Sequence, residues 1–285
     1  MIAVKDLTMQ YPNGKGIFDI SFEVGEGQVV GFLGPNGAGK TSTIRCILGF
    51  MRGQSGEAFL NGKECFANAD ENMKEVGYIA GEPAFPDGVT GIEYLKLLID
   101  IRAMSGKDKS AMLQRMQELI EYFELDASGR VKRMSKGMKQ KTAIVAAFMH
   151  DPKIIILDEP SSGLDPLMQN KFIELVLAEK KKGKTILISS HIFEEVERTC
   201  SEVIIIKEGR IVAKDTVKNL KKSQRKVYIV ESDGQEEEIA VSYDEIDKFI
   251  KNLAKRKITN LSTKELSLES VFMEYYSRDK KEESK

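Results

Sequence analysis

Residues 34–41 read Gly34-Pro35-Asn36-Gly37-Ala38-Gly39-Lys40-Thr41, with Ser42 directly after. The spacing is G-x-x-x-x-G-K-[ST], the pattern of a phosphate-binding loop. Such a loop constrains the fold because it works only between a buried strand and the start of a helix. Both flanks are present. Residues 28–33 are a short apolar run that reads as a buried strand, and Ile44, Ile47 and Leu48 recur at helical spacing before Gly49, a helix-ending glycine. Glycines let the backbone close round a phosphate without Cβ clashes, and the helix start directs unpaired amides at the same anion. Lys40 adds a cation for the β- and γ-phosphates, and the Thr41 hydroxyl is suited to Mg²⁺. A glycine-rich turn matching by accident would not require either flank.

A second stretch places carboxylates where that loop can use them. Residues 154–157 are all apolar and are followed by Asp158 and Glu159. Unpaired carboxylates are poorly tolerated in a core, whereas the carboxyl end of a parallel strand is where α/β ligands bind. The bland alternative is a strand running into an acidic loop. The chain has two histidines. His191 follows an apolar strand at 185–189 and precedes a helix, which puts it on the same edge as Asp158 and Glu159. His150 sits at a helix end beside Asp151 and reads as a solvated residue. Tyr11 ends the first strand, and by itself it is only a half-exposed tyrosine.

In chain order, residues 2–9 and 17–24 read as a hairpin around a turn-rich segment, and 57–60 and 76–80 as further strands. The loop 81–88 carries two prolines and two glycines. Thr90 is the expected N-cap of a helix over 91–103, a second helix covers 109–123, and Ser135 caps a third running through Met149. This helical block, about 83–150, reads as an insertion into an α/β pattern. A helix over 167–182 and a hairpin at 203–214 follow. After Thr216 lysines and glutamates cluster. Residues 216–285 read as a small accessory unit of strands at 227–231, 237–241 and 257–261, helices at 242–254 and 268–276, and a frayed tail.

The remaining composition mainly excludes. With 285 residues the chain can bury a core without disulfides, and its three cysteines lack metal-ligand spacing, as expected in a reducing compartment. A net charge of −1 gives no basic field for nucleic acid. No N-terminal signal pattern is visible, and the longest apolar runs, 143–149 and 154–157, are too short to span a bilayer. Any membrane role is therefore expected to pass through a partner.

Taken together, residues 2–215 resemble the nucleotide-binding subunit of an ATP-binding cassette (ABC) transporter. Residues 34–41 look like Walker A, and 154–158 like Walker B with Glu159 as the adjacent catalytic carboxylate. Residues 134–138 are similar to the family signature L-S-G-G-Q, residues 161–165 to the D-loop, and His191 to the switch histidine. The resemblance implies a P-loop NTPase (RecA-like) α/β core over 1–215, with an N-terminal antiparallel β subdomain, the inserted helical subdomain and the C-terminal α/β extension. It implies ATP hydrolysis with Mg²⁺. Tyr11 would stack on adenine, and Ser135, Gly137 and Met138 would contact the nucleotide of a second ATPase subunit in a head-to-tail sandwich. Thr41 and Asp158 would hold the metal, and Glu159 and His191 would be catalytic. It also implies an integral membrane permease on a separate chain, which this subunit joins at the cytoplasmic face of the cell membrane. No nucleic acid is expected. Ser135-Lys136-Gly137-Met138 and the appended unit look most like the ABC-2 type exporters of drugs, antibiotics and peptides.

The chain departs from the pattern at Lys136 and Met138, and where the family carries a glutamine after 76–80. That position is Gly81 here, with Glu82 beside it, and Glu82 is expected to supply the oxygen nearest the metal once the subunits close. A soluble ABC-type ATPase remains the alternative. DNA-repair members need a coiled-coil insertion between Walker A and the signature, and translation factors two cassettes. A cluster-assembly ATPase has no evident need of the 216–276 unit.

Overall fold

The computed structural model describes residues 1–222, 226–232, 234–264 and 267–277, and these divide into two compact units, Met1–Lys214 and Asp215–Lys285. In the first unit, β1 (Ile2–Gln10) and β2 (Gly16–Val24) form the expected antiparallel hairpin, from Ile2 opposite Val24 to Gln10 opposite Gly16. The other edge of β1 pairs with β4 (Ser55–Leu60), and β5 (Lys63–Glu64) completes the sheet. Alternation puts Ile20, Phe22 and Val24 inward, and an irregularity at Asp19, φ +56°, brings Ile17 inward as well.

The site is positioned by the second sheet. Its order is β10 (Arg210–Thr216), β9 (Glu202–Lys207), β3 (Val29–Leu33), β8 (Thr185–Ser190), β7 (Ile154–Asp158) and β6 (Val76–Ile79). Strands β3, β6, β7, β8 and β9 are parallel. Every residue of β3, β7 and β8 is buried, as a sheet covered on both faces requires. Asp158 pairs with Ser189, and Leu33 with Ser190. The carboxyl ends of three strands are thus level, and the loops leaving them, at 34–39, 159–165 and 190–192, emerge side by side.

Helix α1 (Lys40–Ile47) buries Ile44 and Ile47 in a core shared by the two sheets, which also holds Phe22 and Phe32 with ring centroids 5.6 Å apart. Helix α2 (Ala69–Glu75) precedes β6. The helical block is α3 (Gly91–Ala103), α4 (Lys109–Tyr122) and α5 (Lys136–Phe148). Thr90 caps α3 in a reciprocal capping box with Glu93. The Arg102 guanidinium, in the last turn of α3, reaches the carbonyls of Met73 and Lys74 at 3.3 and 3.4 Å, tying α3 to the negative end of α2. Helix α5 buries Gln140 and every residue from Thr142 to Phe148, so it is a core helix rather than an amphipathic one. Helices α6 (Pro166–Lys181), capped by Asp165, and α7 (Phe193–Thr199) flank β8 in sequence. No helix among the described residues is long and apolar enough to cross a membrane.

The second unit holds α8 (Val217–Lys222), β11 (Lys226–Ser232), β12 (Gln235–Val241), α9 (Ile246–Leu253), β13 (Ile258–Lys264) and α10 (Leu268–Ser277). Its antiparallel sheet, ordered β12-β11-β13, gathers Tyr228, Val230, Val241 and Leu253 into a separate small core. Helix α8 lies where the sequence shows only a lysine-rich run. The frayed tail expected from 278 onward falls outside the described residues.

Candidate nucleotide site

The loop between β3 and α1 depends on Gly39, the residue before α1. Its φ is +112°, and a Cβ there would lie 2.7 Å from Ile17 Cγ2, so conformation and space both demand glycine. Lys40 folds back over this loop. It is only 6% exposed, its Nζ donates to Gly34 O at 2.6 Å, and it lies 3.3 Å from Glu159 Oε1 in an ion pair without hydrogen-bond geometry. The next residue points to the neighbouring strand: Thr41 Oγ1 donates to Asp158 Oδ2 at 2.7 Å. Ser189 Oγ donates to Asp158 Oδ1 at 2.6 Å, so each oxygen of this buried carboxylate accepts a hydroxyl.

Glu159 adopts φ +49°, a left-handed backbone that a non-glycine residue holds only under constraint. Its N–H donates to Ser189 O at 2.9 Å, and its Oε2 meets His191 Nδ1. The carboxylate is 18% exposed and the imidazole 60% exposed, so the histidine presents the pair to whatever approaches the sheet edge. A pocket of about 520 Å³ lies over the loop, lined among others by Tyr11, Lys15, Lys40, Thr41, Arg45, Asp158 and Glu159. The size suits a small-molecule ligand. A larger hollow of about 730 Å³ near residues 51–58 and 64–67 has none of these groups, so chemistry rather than volume selects the site. Tyr11 stands at the pocket edge, its hydroxyl 3.2 Å from Ser42 Oγ.

Thr41 and Asp158 offer hard oxygens in mutual contact, and no cluster of three or more His, Cys, Asp or Glu groups is found among the described residues. That donor set fits Mg²⁺, which takes one or two protein oxygens and completes its shell with phosphate and water. In the single subunit Glu82 stands outside this pair: the side chain is exposed and does not line the pocket. Gly81 faces the carboxylate instead, since a Cβ there would lie 3.4 Å from Asp158 Oδ2.

Ser135, Gly137 and Met138 do not line the pocket either. They form the start of α5, where Ser135 Oγ accepts from Met138 N at 3.2 Å. This start is bolted to the loop following Glu159. Gln140 Nε2 donates to Pro160 O at 2.6 Å, and Lys136 Nζ donates to Ser162 Oγ at 2.9 Å. The lysine stem lies over Gly163, where φ is +82° and a Cβ would meet Lys136 Cγ at 2.9 Å. His150 differs from its sequence reading. It is 3% exposed, its Nε2 lies 3.1 Å from Val76 O, and burial, followed by the nearby Arg102 charge, pushes its pKa down to about 3. It is a neutral structural group. Sequence reasoning also missed Ser189 and Arg45; their signals were a hydroxyl ending an apolar strand and a cation one turn after Thr41.

A parallel sheet with a glycine loop at its carboxyl edge, a lysine and threonine opening the helix and a carboxylate pair on a neighbouring strand define a P-loop nucleoside triphosphatase. The sequence profile of the ABC transporter family matches residues 17–162. The chain is 37% identical over 226 residues to the ABC-type transporter ATP-binding protein EcsA of Bacillus subtilis (strain 168), covering 78% of this chain and 89% of that protein. It is 36% identical over 229 residues to the bacitracin transport ATP-binding protein BcrA of Bacillus licheniformis, covering 79% and 73%. A solved structure of an ATP-binding subunit of an ABC transporter superposes with a TM-score of 0.74 at 29% identity, covering 97% of this chain and 99% of the other. The chain belongs to the ABC transporter family. It is an ATP-binding, ATP-hydrolysing subunit of that family.

Proposed function

We propose that this subunit powers a membrane exporter of amphipathic peptides, antibiotics or drugs, and that hydrolysis is organised by Glu159 and His191. The observation that carries the reading is the set of contacts at one sheet edge, with Thr41 on Asp158 and Glu159 between Lys40 and His191. The loop amides and the start of α1 hold the phosphates, and Lys40 exchanges Gly34 O and Glu159 for the β- and γ-phosphates. Its release frees Glu159 to orient and accept a proton from the attacking water, while His191 anchors Glu159 and contacts the γ-phosphate. Thr41 and Asp158 would hold Mg²⁺, which supplies positive charge against the phosphates. Tyr11 stacks on adenine at the pocket edge.

Ser135, Gly137 and Met138 act on the nucleotide of a second subunit, a reading supported by their absence from this chain's own pocket. The two subunits close over ATP and separate after hydrolysis, and that motion drives the permease. Likeness to the bacitracin transport protein supports the cargo class. The absence of any membrane-spanning helix among the described residues supports a permease on another chain, with this subunit peripheral at the cytoplasmic face.

The permease docks beside α3. Phe85 is half-buried and meets the Tyr94 ring edge-on, with centroids 5.0 Å apart, while Leu97 and Ile101 on the same helix are 47% and 53% exposed. An apolar surface with an aromatic anchor is a usual interface core. Affinity purification from detergent-solubilised membranes of the cell that makes this chain should recover a polytopic membrane protein in near-equal amount. Phe85→Ala should lower that recovery and leave ATP binding intact. Recovery of soluble proteins only would overturn the transporter reading.

A further inference from the structure

Glu195 lies in the first turn of α7, a place where a carboxylate usually faces water. Here it is 2% exposed. Its Oε2 accepts two hydroxyls, from Ser190 Oγ at 2.7 Å and from Ser161 Oγ at 3.1 Å. Ser190 immediately precedes His191, and its Oγ also accepts from Ile192 N at 3.0 Å, which fixes the backbone on both sides of the histidine. Ser161 lies two residues after Glu159 and opens the loop that carries Ser162 and Gly163 onto Lys136. The other oxygen, Oε1, is buried and has no hydrogen-bond partner among the described residues. The residue also lines a cavity of about 90 Å³ with Ser161, Ile192 and Arg198. A desolvated carboxyl with one idle oxygen is unfavourable for folding alone, so the arrangement calls for a use.

We propose that Glu195 is a positioning residue for ATP hydrolysis: one buried carboxyl that clamps the loop after Glu159 to the loop before His191 and so fixes the geometry of that pair. The proposal rests on Glu159 and His191 being the hydrolytic pair. The clamp also carries a proton. Burial pushes the pKa of Glu195 up to about 7, the two serine hydroxyls work against that rise, Glu159 adds to it and His191 opposes it. Glu194 and Arg198 line the same cavity, and the α6 residues there, Pro166, Gln169, Asn170 and Ile173, are uncharged. The Cys200 thiol, pushed up to about 12 mainly by burial, stays neutral beside it. Protonated Glu195 keeps Oε2 as acceptor for both hydroxyls and adds no charge next to Glu159. Ionised Glu195 also keeps both hydroxyls and, as a charged acceptor, holds them more strongly, so the clamp stands in either state.

The test is steady-state ATPase activity of the full chain, alone or with its membrane partner, for wild type, Glu195→Gln and Glu195→Ala from about pH 6 to about pH 8. Glutamine keeps the acceptor and removes the titration. Its kcat should match wild type to within about twofold across this range. Alanine removes the acceptor and should lower kcat about tenfold with KM for ATP unchanged, the signature of geometry rather than binding. An alanine variant with wild-type kcat, or a folded glutamine variant that has lost activity, overturns the proposal. If the alanine variant does not fold, Ser161→Ala removes one arm of the clamp and should likewise lower kcat with KM unchanged, and wild-type kcat there overturns it too. Glu159→Gln and His191→Ala run in parallel separate the two levels. If both keep wild-type kcat, the hydrolytic pair is wrong. If both lose activity while the Glu195 variants behave as wild type at every pH, only the clamp is wrong.

Discussion

Two buried groups should make the pH dependence of stability unusual, and removing one should expose the other. His150 has its pKa pushed down to about 3 from an ordinary 6.5 by burial. As pH falls below 6.5 the unfolded chain takes up a proton that the folded chain refuses, so this stabilisation is lost toward acid. Glu195, raised from 4.5 to about 7, works the other way: the folded chain keeps a proton the unfolded chain releases, so stability is lost as pH rises through that window. At 1.36 kcal/mol per pH unit, going from about pH 8 to about pH 5 loses roughly 2 kcal/mol through His150 and regains roughly 2 to 3 kcal/mol through Glu195. The two nearly cancel. The perturbation is His150→Gln, which retains an amide donor for Val76 O and cannot titrate. In urea denaturation followed by circular dichroism, the variant should gain roughly 2 kcal/mol relative to wild type between about pH 8 and about pH 5. Because the comparison is between variants, the surface carboxylates drop out. A difference that stays constant with pH within a few tenths of a kcal/mol would refute the reasoning, because His150 would then titrate alike in both states.

Lys40→Ala should abolish ATP affinity, whereas His191→Ala should leave affinity near wild type and lower kcat; titration with a fluorescent ATP analogue alongside turnover separates the two, and lost affinity in the histidine variant would make it structural. Gly163→Ala should destabilise by about 1 kcal/mol through its left-handed backbone and also displace the Lys136 stem. A double-mutant cycle with Lys136→Ala should recover only the second part, and strict additivity would show that the two do not touch.

Much of the fold is local in origin and was therefore readable. Thr90 and Ser135 cap α3 and α5 as their residue types dictate, and the apolar run before Asp158 became β7 with the carboxylate at its end. The misreading of His150 and the position of Glu82 concern partners distant in sequence. His150 looked solvated beside Asp151 because its acceptor, Val76, lies 74 residues away. Glu195 has the sequence look of a solvated helix-start acid, and only the approach of Ser161 and Ser190 reveals a buried node. At Gly81 and Glu82 residue chemistry favoured the carboxylate, but in the single subunit the bend after β6 sets Gly81 against Asp158 and leaves Glu82 exposed. Helices α2 and α8 escaped notice because Ala69–Glu75 and Val217–Lys222 are short and charged, with no sustained apolar period to mark a buried face.

In the proposed function, ATP drives a closing and opening of paired subunits through hydrolysis organised by Glu159. Glu159→Gln tests it most directly, because it keeps the shape of the side chain and removes the proton acceptor. Size-exclusion chromatography with light scattering, run beside a turnover assay, reads both consequences. The variant should bind ATP as tightly as wild type, hydrolyse it at least about a hundredfold more slowly, and accumulate as an ATP-bound dimer. Near-wild-type turnover, with no dimer formed in ATP, would contradict the account.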